Sequence, residues 1–133
     1  MRDDFNPASL ITVFLQESEE GLSAMEQALI ALDARPEAAE PLNEVFRIAH
    51  TIKGGAAMVE FPAVAELAHK LEDALTMFRD GLVSVTPERV TTMLQIVDVL
   101  REMIHAHARN AGHTVRVRAS DAALVAVMLS PGP

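Results

Sequence analysis

"NPASLITVFLQESEEGLSAMEQALIAL", residues 6–32, decides the architecture. Within it Ile11, Leu15, Ser18, Leu22, Met25, Leu29 and Leu32 recur at alternating steps of four and three. That period brings successive residues back to one side of an α-helix, and a seam this long suits one helix packing along another. Asn6 before Pro7 supplies the start signal. An Asn side chain accepts hydrogen bonds from the free N–H groups of a first turn, and proline at the first helical position has no N–H to leave unpaired. Helix is therefore expected from Pro7 past Leu32.

Working outward, "DARPEAAEP" (33–41) breaks the seam and a second apolar face follows: Leu42, Val45, Phe46, Ala49, Ile52 and Ala56. Glu60 to Pro62 closes that helix. Val64, Leu67, Ala68, Leu71, Ala74, Leu75 and Phe78 form a third face, stopped at Gly81, a residue type favoured just past a helix end. Thr86 and Pro87 repeat the start signal for a fourth helix through Val90, Met93, Leu94, Val97, Leu100 and Ile104 to about Asn110. Four amphipathic helices with short connections predict an all-α, antiparallel up-and-down four-helix bundle over residues 1–112. Residues 113–133 read as an appendage: "HTVRVRAS" as an extended connection, "DAALVAVML" as a short fifth C-terminal helix capped by Ser120, and "SPGP" as the start of a linker.

Composition narrows the function. The chain has 133 residues, half of them hydrophobic, enough for one domain with a real core. With no cysteine, disulfides, thiolate chemistry and cysteine-ligated metal are excluded. The 11 Lys and Arg are outnumbered by 19 Asp and Glu, giving a net charge of −8, so a nucleic-acid surface is not expected and a protein partner is. No apolar run approaches the roughly 20 residues of a membrane span and no signal-peptide pattern opens the chain, which predicts a soluble, cytoplasmic protein with no direct membrane contact.

"RIAHTIKGGAAM" (47–58) carries the chemistry. On a helical wheel His50 lies about 100° from the centre of its apolar face, at an edge where the ring can lean on the core and keep a nitrogen in water. Gly54 lies one turn beyond and Ala57 two, leaving a low surface beside the imidazole. Two adjacent glycines inside a helix each cost roughly 1 kcal/mol relative to alanine; the return expected for both is room for a bulky partner. Lys53 is expected to bring its ammonium outward along the surface, where it can neutralise phosphoryl oxygens. On the third helix Glu72 flanks its apolar face by about the same angle, so the two edges can meet across a groove. A carboxylate accepting the Nδ1 proton fixes a lone pair on Nε2, an oriented nucleophile for phosphoryl transfer. "KGG" lacks the order of a phosphate-binding P-loop, so ATP must be held elsewhere.

"FRIAHTIKGGAAMVEF", followed by "LAHKLEDAL" and "RDG", resembles the N-terminal histidine phosphotransfer (HPt) domain of CheA-type chemotaxis histidine kinases. The resemblance implies that His50 is the phosphorylated histidine of an H-[ST]-x-K-G-G signature completed by Lys53, Gly54 and Gly55. It also implies that His69 and Glu72, within an L-x-H-x-L-E signature, belong to the hydrogen-bonded network around it. His50, Glu72, Lys53 and His69 are the expected catalytic set. Gly54, Gly55, Ala57, Phe46 and Arg47 are the expected partner-binding set, and no metal ligands are assigned. The implied partners are an ATP-binding kinase catalytic domain, which holds ATP and Mg2+, and a CheY/CheB-type response regulator whose aspartate receives the phosphoryl group. The domain itself needs no cofactor and is expected to be monomeric when isolated. The chain departs from the family at Ala57 and Glu60, where small residues are common; a differently shaped turn is expected there, with added negative charge at the rim.

Two other readings share the fold. A helical adaptor bundle would leave His50 unused, and lack of phosphorylation by a competent kinase domain would favour it. A di-iron carboxylate bundle has the Glu-x-x-His spacing at Glu66/His69 and Glu102/His105. Glu66 and Glu102 fall roughly 130° and 150° from their apolar faces, however, so they point away from any core site. His105, His107 and His113 are expected at the surface.

Overall fold

Each of the four seams becomes one helix. A computed structural model describes residues 7–109, with α1 at Pro7–Ala34, α2 at Ala39–Met58, α3 at Pro62–Arg79 and α4 at Pro87–Arg109. The reading of 113–133, the fifth helix included, lies outside the described residues, as do Asn6 and His113. Successive helices run antiparallel. The α2 helix packs on α1 and α3, and α4 closes onto α1 and, less extensively, onto α3. No described helix is long and apolar enough to cross a membrane.

The core is built from the predicted positions, with Leu22, Met25, Leu29, Leu67, Leu71 and Leu100 at or below 1% exposure. Each such leucine contributes about 1.5–3 kcal/mol of burial. The seams are broader than a strict four-three pattern. Phe14, Ile48, Ile96 and Met103, all off the predicted lines, are buried, because a helix with two neighbours must cover two lines of contact. Phe46, expected in the core, is only partly buried; the Arg79 guanidinium lies 4.2 Å above its ring.

The helix ends follow local chemistry. Thr86 Oγ1 accepts from the Arg89 N–H at 3.2 Å, the predicted cap of α4. The α2 and α3 helices both end in the same double bond. Past α2, the Phe61 N–H reaches the Ala56 carbonyl at 2.8 Å and the Glu60 N–H reaches that of Ala57 at 3.2 Å; past α3, Leu82 and Gly81 bond Met77 and Phe78 in the same way. Such a turn needs one left-handed residue. Gly81 supplies it at φ 77° after α3, but after α2 it is Glu60 at φ 62°. The turn where a different shape was expected thus takes the conformation that suits glycine, with a glutamate holding it.

Candidate functional site

The rim between α2 and α3 brings three of the predicted residues together. Glu72 is buried, not the exposed-edge carboxylate its wheel position suggests. Its Oε2 meets His50 Nδ1, and its Oε1 accepts from Lys53 Nζ at 2.7 Å. Burial alone would raise its pKa, but the hydrogen bonds and positive charges of Lys53 and His50 outweigh that and hold the carboxyl below its ordinary value. A second bond fixes the stretch of α3 that carries it: Thr76 Oγ1 donates to the Glu72 backbone carbonyl at 3.0 Å.

An ionised carboxylate can only accept, so the neutral His50 ring carries its proton on Nδ1 and its lone pair on Nε2. The imidazole side chain is 64% exposed. Lys53 corrects one expectation: its ammonium does not run outward but turns back onto Glu72, because a buried carboxylate with an unpaired oxygen is costlier than a tethered lysine.

The two glycines differ. A Cβ built on Gly54 meets nothing within 4 Å, which is the open surface expected beside His50. A Cβ on Gly55 would lie 2.9 Å from the Phe14 ring. Gly55 therefore admits α1, not a partner, as its place one residue further around the helix dictates. Ala57 is exposed on the Gly54 side. Arg47 is exposed and pairs with Glu44 at 3.4 Å.

His69 comes within 4.8 Å of a Glu72 carboxylate oxygen. It is exposed on α3, and Nε2 lies 3.7 Å from Asp73 Oδ1. The Glu-x-x-His pairs are likewise outside the core, since Glu66, His69, Glu102 and His105 are all exposed.

The fold is matched by known proteins. The family model for the Hpt domain matches residues 9–110. The chain belongs to the Hpt domain family. Among curated relatives it is similar to the chemotaxis protein CheA of Klebsiella aerogenes, 38% identical over 94 residues that make up 71% of this chain and 14% of that protein. CheA of Borreliella burgdorferi is 30% identical over 76% of this chain and 12% of its own length. The chain thus spans a small fraction of these relatives. Among solved structures, the phosphorylated P1 domain of CheA3 in complex with CheY6 from R. sphaeroides is 29% identical, covers 91% of this chain and 93% of that one, and superposes with a TM-score of 0.78.

The Hpt bundle also holds a histidine that the sequence reading misplaced. His107, expected at the surface, is buried at 8% exposure. Its ring stands edge-on to Phe61 at 4.0 Å, Nε2 is 3.5 Å from the Glu60 carbonyl, and Nδ1 is buried with no hydrogen-bond partner among the described residues. Burial pushes its pKa down. The signal was present in the sequence: Met93, Val97, Leu100, Ile104 and His107 continue one four-three seam.

Proposed function

We propose that this Hpt domain is the phosphotransfer module of a CheA-type chemotaxis kinase, working in the cytoplasm between a kinase catalytic domain and a CheY/CheB-type receiver. The observation that carries the reading is a histidine whose Nδ1 is held by a buried carboxylate while its ring faces solvent. In the first transfer, His50 Nε2 uses its lone pair to form a bond to the γ-phosphorus of ATP held by the separate catalytic domain, and the bond from phosphorus to the departing ADP oxygen breaks. Nε2 has no proton to lose. The ring becomes positively charged, and Glu72 stabilises it through Nδ1–H. In the second transfer a receiver aspartate attacks the same phosphorus, the P–N bond breaks and the electron pair returns to Nε2. Lys53 is assigned to positioning, since it holds the Glu72 oxygen that His50 does not use. Gly54 and Ala57 are assigned to the approach of the receiver; Gly55 and Phe46 are assigned to packing, and His69 is left out of the transfer.

Incubation with radiolabelled ATP and a CheA-type catalytic domain tests the assignment. The wild-type domain is expected to take up label that is stable in base and lost in acid, and His50→Gln to take up none. Equal labelling of the variant would move the site elsewhere, and no labelling of either would favour an adaptor.

A further inference from the structure

The geometry points to a transition-metal cation site on α3 beside the α2–α3 rim, formed by the exposed His69 and Asp73 and the buried Glu72, through which a zinc-class dication would regulate the phosphorylation site. One ligand atom from each of these residues lies within 4.8 Å of the others. His69 Nε2 and Asp73 Oδ1 are 3.7 Å apart on successive turns of one helix. Two ligands of a tetrahedral zinc, at bond lengths of about 2.0–2.2 Å, sit roughly 3.4 Å from each other, so this pair needs little adjustment. Imidazole and carboxylate are both zinc donors, and open zinc sites keep three protein ligands and leave a fourth position to water. The His69 and Asp73 side chains are 60% and 71% exposed, so a hydrated ion reaches them without opening the bundle.

Glu72 gives the site a consequence. Its two oxygens are occupied by His50 and Lys53, and Lys53 also opposes a cation through its charge, so the metal must compete. Lys53 retains Oε1 through a compact ammonium contact. The oxygen that turns toward the metal is Oε2, and the bond given up is the one to His50 Nδ1. Bound metal then frees the His50 ring to rotate and to exchange tautomers, and it withdraws the carboxylate that stabilises the charged ring. The regulatory half of the inference rests on the phosphotransfer reading; the binding half does not.

Zinc chloride titrated into the whole chain, followed by calorimetry and by ring-nitrogen NMR, separates the two. Zinc is expected to shift the His69 ring resonances saturably. Binding should weaken at least about tenfold in His69→Gln and in Asp73→Asn, and should persist or tighten in His50→Gln, where Glu72 has one partner fewer. Phosphorylation of the wild type by phosphoramidate should slow at least about fivefold at saturating zinc, whereas Asp73→Asn, which lies outside the transfer machinery, should phosphorylate at the wild-type rate with or without zinc. Zinc binding that survives both α3 substitutions, or that disappears with His50→Gln, overturns the site. Equal slowing of wild type and Asp73→Asn overturns the regulation. Failure of phosphorylation without metal would count against the phosphotransfer reading and leave the binding result to stand alone.

Discussion

His50 and His107 both sit where a helix edge meets a neighbouring element, and the neighbours make them opposites. At the α2–α3 rim, one buried carboxylate takes Nδ1 and leaves the rest of the ring in water. At the end of α4, the ring stands edge-on to Phe61 and Nδ1 is buried with no partner among the described residues. Burial suppresses the charged form of an imidazole; a carboxylate partner on an exposed ring orients the neutral form. The adjacent glycines repeat the contrast on a smaller scale. Gly54 faces open surface on the His50 side, and Gly55 faces Phe14, which in turn stands edge-on to Phe61 at 5.5 Å and so belongs to the His107 side.

The largest effect should come from removing the carboxylate that separates the two histidines. Glu72→Gln is expected to slow phosphorylation of His50 by about 10–100-fold, because an amide cannot stabilise a charged ring as a carboxylate does. Single-turnover kinetics read this directly. An unchanged rate would mean that the rim bond is structural only.

Leucine at the two glycines should split stability from transfer. Gly55→Leu is expected to destabilise the bundle by about 1–3 kcal/mol through overpacking against Phe14. Gly54→Leu should instead raise stability by about 0.5–1 kcal/mol, since helix propensity improves and nothing is crowded, while transfer to the receiver slows at least about tenfold through lost approach. Urea melts together with receiver phosphorylation distinguish these. Similar stability losses at both positions would erase the contrast.

His107→Phe keeps the edge-on ring contact and removes the orphan nitrogen, at the loss of the long Nε2 bond to the Glu60 carbonyl, so a net gain of at most about 1 kcal/mol is expected. The sign of the pH effect follows from the lowered pKa. The unfolded chain takes up the proton first, near 6.5, so stability is complete above that value and falls with pH down to the folded pKa. Thermal melts between pH 7.5 and 5.5 should show a decline in the wild type that is reduced in His107→Phe. The contribution of Glu72 lies lower, because its folded pKa is below 4.5: it is present above that value and lost as pH falls through the folded pKa.

Smallest is the turn between the two neighbourhoods. Glu60→Gly should stabilise by about 1 kcal/mol by relieving the left-handed backbone, in part offset by the flexibility glycine adds to the unfolded chain. Chemical denaturation measures it, and a loss of stability would show that the glutamate side chain holds the turn.

How much of this was legible in the sequence depended on whether one helix or several decided it. The four helices and the cap at Thr86 are matters of local period and local hydrogen bonding, and they read directly. So did the facing of His50 and Glu72, because both edges were referred to the same packing seam. Facts set by a third element did not read. Phe14 against Gly55, the broader core at Ile48 and Ile96, and the edge-on contact of His107 with Phe61 each need to know which helices are neighbours. The buried state of Glu72 and the inward turn of Lys53 arise from each other, and no single-helix wheel contains that pairing.

The central claim is that the phosphoryl group is carried on His50 Nε2 because Glu72 holds Nδ1. Phosphorus–nitrogen coupling in NMR of the 15N-labelled, phosphorylated domain reads the bond itself. The account predicts coupling to Nε2 of His50, with the Nδ1 proton retained; coupling to Nδ1, or to the ring of any other histidine, would contradict it.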